Sequence, residues 1–269
     1  MSGLYLYPFK SGGGIPVSSV RVGSAGLHGD REWMAVDARG EFVSLRTHPR
    51  MALMRVRLDP DFLELMAPEG ESLVLPRAAA LPSQHEAAGA GAVRPYQIWF
   101  SERLGVDCGD EAASWMSRFL GQPCRIVRAR APDDGEALNA EGRVRAGFAD
   151  AAPALLIASA SLDALNRRLP VPLTMARFRP NIVVDGLAAF AEDAWRGASI
   201  GSVDTRTAGP CPRCAATLLD PVTGEKGVEP LRTLAKFRKN VRGEVDFGMN
   251  IRFAAEGTLS VGDEVVPDA

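Results

Sequence analysis

The chain has 269 residues, 46% of them hydrophobic, with 31 Lys and Arg against 33 Asp and Glu and a pI near 6.0. That is enough apolar material for a core without disulfide or zinc staples. A net charge of −2, with basic residues scattered along the chain, gives no electrostatic footprint for nucleic acid. No apolar run approaches the ~18 residues of a membrane span. Met1–Pro8 lacks the charged start and long apolar core of a secretory signal. Four cysteines are too sparse for a secreted disulfide scaffold, so a cytoplasmic compartment with reduced thiols is expected.

Taken in chain order, the first hundred residues read as short strands between turns. Leu4-Tyr5-Leu6-Tyr7 is a strand stopped by Pro8, and Lys10-Ser11 with Gly12-Gly13-Gly14 follows. Trp33–Val36 and Phe42–Leu45 flank the turn Asp37-Ala38-Arg39-Gly40, a hairpin signal. Met54, Val56 and Leu58 alternate with arginines; Leu63 and Leu65, then Leu73 and Leu75, repeat that period across Pro68-Glu69-Gly70. Residues 78–94 and 131–149, rich in small and polar residues, read as long loops. Between them Asp110 can cap a helix whose apolar face is Ala112, Trp115, Met116, Phe119 and Leu120, ended by Gly121.

The second half mixes elements. Ala154–Ala158 is a buried strand, Leu162, Leu165 and Leu169 mark a short helix, and Asn181–Asp185 is a strand after Phe178-Arg179-Pro180. Because a residue before proline avoids the helical region, Arg179 is expected to be extended. Pro230 opens a helix carrying Leu231, Leu234 and Phe237, and strands around Ile251–Phe253 and Leu259–Val261 close the chain. The whole is α+β and mostly β, with a boundary near residue 125.

Cys211-Pro212-Arg213-Cys214 carries most of the chemical information. A zinc half-site would need a second pair, and neither Cys108 and Cys124 nor the three histidines provide it. A redox dithiol has this gap but opens a helix in an early βαβ unit, which this pair does not. Two readings stay open on the residues alone: one thiolate serving as ligand to a larger cofactor, with Arg213 favouring the ionised sulfur, or two inert cysteines.

Five segments in this order resemble the MOSC-domain family, and more narrowly its amidoxime-reducing branch with bacterial homologues. They are Tyr7-Pro8-Phe9-Lys10-Ser11, Gly29-Asp30-Arg31-Glu32-Trp33, Phe178-Arg179-Pro180-Asn181-Ile182, Cys211-Pro212-Arg213-Cys214 with Thr217 and Asp220-Pro221, and Gly257–Asp263. The resemblance implies an N-terminal β-barrel-like region over residues 1–125 and a MOSC-type β-barrel domain with a few helices over 126–269, packed around one cofactor site. It implies a molybdenum–pterin cofactor (molybdopterin) ligated by Cys214, with Cys211 and Asp220 in supporting roles. Lys10, Ser11, Arg31, Arg179, Asn181 and Arg213 become its expected contacts, because an anionic pterin wants cations, hydroxyls and free backbone N–H groups, such as those of Gly12–Gly14.

The implied activity is two-electron removal of oxygen from N-hydroxylated or N-oxide compounds, with electrons from a separate donor protein and no fused iron–sulfur cluster. A sulfur or molybdenum-cofactor carrier using Cys214 is the alternative; no nucleic-acid or membrane partner is implied. The chain departs from close relatives at Ala151-Ala152-Pro153, where they carry hydroxyls, and at Phe247-Gly248-Met249-Asn250, where some carry an aromatic.

Overall fold

The structure, a computed structural model, describes residues 1–77, 91, 93–99, 101–129 and 147–268. In chain order the first strands are β1 (Gly3–Leu6), β2 (Ile15–Pro16), β3 (Ser19–Gly23), β4 (Gly26–Leu27), β5 (Trp33–Asp37), β6 (Arg55–Leu58), β7 (Phe62–Met66) and β8 (Ser72–Pro76). Next come β9 (Val93–Ile98), β10 (Ser101–Asp107), helix α1 (Asp110–Leu120), β11 (Cys124–Ala129), β12 (Ala154–Ala158), α2 (Ser159–Asn166) and β13 (Ile182–Val184). The chain closes with β14 (Gly197–Ile200), β15 (Val203–Pro212), the one-turn α3 (Leu231–Leu234), β16 (Asp246–Phe253), β17 (Gly257–Ser260) and β18 (Val265–Asp268). The fold is α+β and mostly β. Among the described residues no helix is long and apolar enough to cross a membrane.

Most of the two expected loops lies outside the described residues. Where it does not, Val93 and Arg94 already belong to β9, and Phe148 is fully buried. Asp110 is the first helical residue and not the cap. Gly109 occupies that position, its N–H held by Asp107 Oδ1 at 2.8 Å, while Gly121 closes the helix in the left-handed conformation as expected. The helix after Pro230 is a single turn that ends before Phe237, which is exposed.

The chain forms two compact units, neither continuous in sequence. One comprises Met1–Leu6, Pro16–His28 and Asp150–Ala269; the other comprises Tyr7–Ile15 and Gly29–Ala149. In the second unit, β5-β11-β10-β9 and β6-β7-β8 are antiparallel sheets whose alternating residues fill the interior, as Leu63, Leu65, Leu73 and Leu75 do. Met34, Val36, Tyr96, Ile98, Val127 and Phe148 form one of its apolar clusters.

In the first unit a curled sheet runs β18-β14-β15-β16-β12-β13-β1, beside a smaller one, β17-β3-β4. Every pair in that run is antiparallel except β12 with β13, where Leu156 faces Ile182. A parallel neighbour needs a crossover, and α2 with the following 3-10 turn Met175–Phe178 supplies it. These elements bury Leu155, Ile157, Leu162, Leu165, Phe178, Leu234 and Phe247 together. The Phe178 and Phe247 rings lie 4.4 Å apart, which anchors the end of the crossover on β16.

Candidate functional site

The segment expected to bear the chemistry sits where β15 ends. Register slips between Thr207, Pro210 and Pro212 bend β15 against β16, and Gly209 adopts φ +95° within that bend. Arg213 still donates its N–H to Val245 O at 2.7 Å, so the strand pairing persists to the residue before Cys214. Cys214 is extended (φ −103°, ψ 176°) and opens the 3-10 turn Ala215–Leu218. Thr217 holds it there, giving both its N–H (3.1 Å) and its hydroxyl (2.9 Å) to the Cys214 carbonyl.

The four cysteines separate by environment. Cys214 is exposed and Cys211 half-buried. Burial pushes the Cys108 thiol up to about 12 and also raises Cys124, so neither gives a thiolate at neutral pH. Cys211 packs against the cluster around Phe178 and Phe247. Cys211 and Cys214 are both free thiols, the first packed on that cluster and the second open to solvent. Among the described residues no three His, Cys, Asp or Glu side chains converge as a metal cage. The geometry therefore favours one available soft donor over a dithiol or a closed zinc site.

Arg213 does not serve the sulfur that follows it in the way the sequence suggests. Its Nη1 donates to Cys211 Sγ at 3.1 Å and its Nη2 to Phe178 O at 2.7 Å, with the guanidinium 5.7 Å over the Phe178 ring. Its Nε is buried without a hydrogen-bond partner. An orphaned guanidinium N–H costs free energy unless something accepts from it, and an anion is the natural acceptor.

Arg179 corrects a second expectation. It is left-handed (φ 56°, ψ 46°), not extended, because it closes the 3-10 turn Met175–Phe178 and redirects the chain toward β13. Asn181 is wholly buried: its Oδ1 accepts the Leu155 N–H (3.2 Å) and its Nδ2 donates to Tyr5 O (3.1 Å), which ties β12 and β1 to the entry of β13. Arg177, which sequence reasoning passed over, joins the Arg179 turn to the Cys214 turn. It donates to Leu218 O (3.3 Å) and to Asp220 Oδ2 (2.8 Å). Asp220 also accepts from Val222 N–H and Thr223 N–H; these bonds, with Arg177 beside them, hold its carboxyl below the usual range. Its place two residues before Arg179, next to a buried Phe, was the only signal for Arg177.

Lys10, Ser11 and Arg31 lie in the other unit. Lys10 is 5% exposed; its Nζ donates to Phe148 O at 2.7 Å and sits 4.8 Å over the Phe42 ring. Ser11 Oγ accepts the Leu45 N–H at 3.2 Å. Arg31 pairs with Asp30, which also accepts the Tyr7 N–H, and lies 5.1 Å over the Tyr7 ring. Two of the three glycines after Ser11 do not present the free N–H groups expected of them. Gly12 N–H bonds to Phe9 O and Gly13 N–H to Met54 O, and a Cβ on Gly14 would meet the Tyr7 ring at 2.4 Å. They are packing glycines.

One pattern links the two groups. Only five non-glycine residues among those described have positive φ: Ser11, Arg31, Trp99, Arg179 and Phe190. Three of them come from the family segments. Such conformations cost about 1–3 kcal/mol each and persist where surrounding contacts enforce them, often at functional sites.

Residues 1–123 match the MOSC N-terminal beta barrel domain and residues 143–266 match the MOSC domain. The chain is 34% identical over 282 residues to mitochondrial amidoxime-reducing component 1 of Homo sapiens, covering 97% of this chain and 81% of that protein. The corresponding protein of Mus musculus is 33% identical over 280 residues, covering 97% and 80%. Human molybdenum cofactor sulfurase is 28% identical over 293 residues, covering 99% of this chain and 32% of that longer protein. With both domain models matched in order across nearly its full length, the chain belongs to the MOSC-domain family, in the two-domain form shared with the mitochondrial amidoxime-reducing components.

Proposed function

We propose that this protein is a molybdenum-cofactor-dependent reductase of N-hydroxylated or N-oxide compounds, with Cys214 as its ligand to the metal. One observation carries the reading: the exposed Cys214 directly follows Arg213, whose Nε is buried without a hydrogen-bond partner, which supplies a soft donor and a cation suited to a thiolate-ligated anionic cofactor. The names of the relatives, amidoxime-reducing component and molybdenum cofactor sulfurase, support it. When bound, the molybdenum–pterin group would supply the two-electron chemistry that removes the oxygen from nitrogen, consuming two electrons and two protons and releasing one water.

The chain's own residues orient and balance charge. Thr217 fixes the backbone that presents the Cys214 sulfur, and Arg177 with Asp220 holds the turn behind it. Arg213, anchored on Cys211 and Phe178 O, offers Nε to negative charge, and Arg179, at the end of the turn Met175–Phe178, is proposed as a second cofactor contact. Lys10, Ser11 and Arg31 are proposed as further contacts to phosphate or pterin. Asn181, with both polar side-chain atoms bonded to backbone, acts by holding strands. A separate protein supplies the electrons.

The test is metal and pterin analysis of protein made in a host that synthesises the cofactor, with benzamidoxime reduction by viologen as the activity. Wild type and Cys211→Ser should carry stoichiometric molybdenum, and Cys214→Ser should carry none. Wild-type protein lacking both metal and pterin would sink the proposal. The exposure of Cys214 and the likeness to the sulfurase favour a second reading, a sulfur or cofactor carrier. A persulfide on Cys214 without metal would select it.

A further inference from the structure

The basic residues are less scattered than composition suggests. Of the 31, only four are lysines: Lys10, and then Lys226, Lys236 and Lys239 within fourteen residues. These last three are exposed and form no ion pair among the described residues; Arg242 beside them is exposed as well. The neighbouring arginines are already committed, Arg232 to Glu229 and Arg238 to Asp193. Interleaved with the lysines are exposed apolar residues: Val222 at 81%, Val228 at 57%, Phe237 at 37% and Val241. Residues 222–244 hold six cations against three carboxylates in a chain whose net charge is −2.

This surface grows from the backbone on both sides of Cys214. On one side Gly227 N–H bonds to Leu218 O (2.9 Å), Asp220 N–H bonds to Glu225 O (2.8 Å), and Leu219 bridges Lys226. On the other, Arg213 N–H bonds to Val245 O, and Val245 bridges Lys239. The two loops that carry the lysines are thus tethered to the residues flanking the proposed metal ligand.

We propose that this lysine-and-valine surface is the docking face for an acidic protein electron carrier; the inference rests on the reductase reading. The reaction consumes two electrons, and two reduced one-electron carriers must each dock and leave before the substrate and two protons become product and water. Such a contact needs speed and release more than tight grip. Exposed lysines are hydrated point charges without the bidentate fork of arginine, so they steer an acidic partner without clamping it. The exposed valines, with Phe237 half-exposed beneath the Arg168 guanidinium, interleave apolar area with these charges, which favours a protein partner over a polyanion.

The test uses cofactor-loaded protein with two reductants, an acidic plant-type [2Fe–2S] ferredoxin and the small cation reduced methyl viologen. Wild-type turnover driven by ferredoxin should fall as salt rises. In the Lys226→Glu/Lys236→Glu/Lys239→Glu variant, ferredoxin-driven kcat/KM should drop at least about tenfold and lose its salt dependence. The triple Lys→Gln variant should lie between, and in both variants molybdenum content is retained and viologen-driven turnover is not lowered. Three results would overturn the proposal: an unchanged ferredoxin rate and salt slope in the charge-reversed protein, wild type that turns over with viologen but not with ferredoxin, or a wild-type dimer lost in the variant, which would assign the surface to a second copy. Loaded protein without viologen-driven turnover would sink the reductase reading itself, and the docking face with it.

Discussion

Arg213 and Asn181 both show side chains whose roles depend on partners far away in sequence. The Arg213 guanidinium reaches the carbonyl of Phe178, thirty-five positions earlier, and the Asn181 amide reaches Tyr5, 176 positions earlier. From the sequence each was a contact to an anionic or amide-bearing ligand. The structure keeps that possibility for Arg213, whose Nε is orphaned, and commits Asn181 to backbone. Asn181→Ala should therefore act on stability. It leaves the buried Leu155 N–H and the part-buried Tyr5 C=O without their side-chain partner, a loss of about 1–3 kcal/mol readable as a lower urea midpoint. A variant as stable as wild type would contradict the clamp.

Among elements, those with strong period were legible and those fixed by crossing chains were not. The alternation through Leu63, Leu65, Leu73 and Leu75 predicted β7 and β8 because one face of each strand is buried. The stretch Phe247-Gly248-Met249-Asn250 gave no hint that Gly248 sits at φ +83°, where a Cβ would meet Ile157 Cγ1 at 2.7 Å. Nor did the sequence single out Glu192, which is fully buried. Its carboxylate accepts the Ala158 N–H at the start of α2 and the Ser161 hydroxyl, and burial pushes its carboxyl above the usual range. A carboxyl raised in the folded state contributes stability that is present below its unfolded pKa and lost as pH rises through the folded one. Relative to Glu192→Gln, wild type should lose stability above about pH 4.3, by up to about 1.4 kcal/mol per pH unit, until Glu192 is ionised. Urea unfolding of both proteins from pH 4.5 to 8 measures this; parallel curves would refute it.

For the whole molecule, binding and stability are linked. A ligand held only by the folded chain stabilises it by about 4 kcal/mol when present at ~1,000 times its Kd. Cofactor-loaded protein should melt several degrees above the same protein made in a host that cannot synthesise the cofactor. Calorimetry should find that gap retained in Cys211→Ser and absent in Cys214→Ser. A gap that survives in Cys214→Ser would remove the metal ligand from that position.

By itself the sequence determined the mostly-β architecture, the family and the segments that matter, because hydrophobic period and short motifs are local properties of the chain. Tertiary structure decided what those segments do. It placed Arg213 on Cys211 and Phe178, folded Ser11, Arg31 and Arg179 into left-handed conformations, and packed the glycines that had read as an anion loop. Each outcome depends on a backbone carbonyl, a ring or a strand supplied from elsewhere in the chain, and no local pattern encodes which group arrives. The cysteine pair is the clearest instance: a three-residue spacing made it symmetric in sequence, and burial made Cys211 an anchor and Cys214 the exposed thiol.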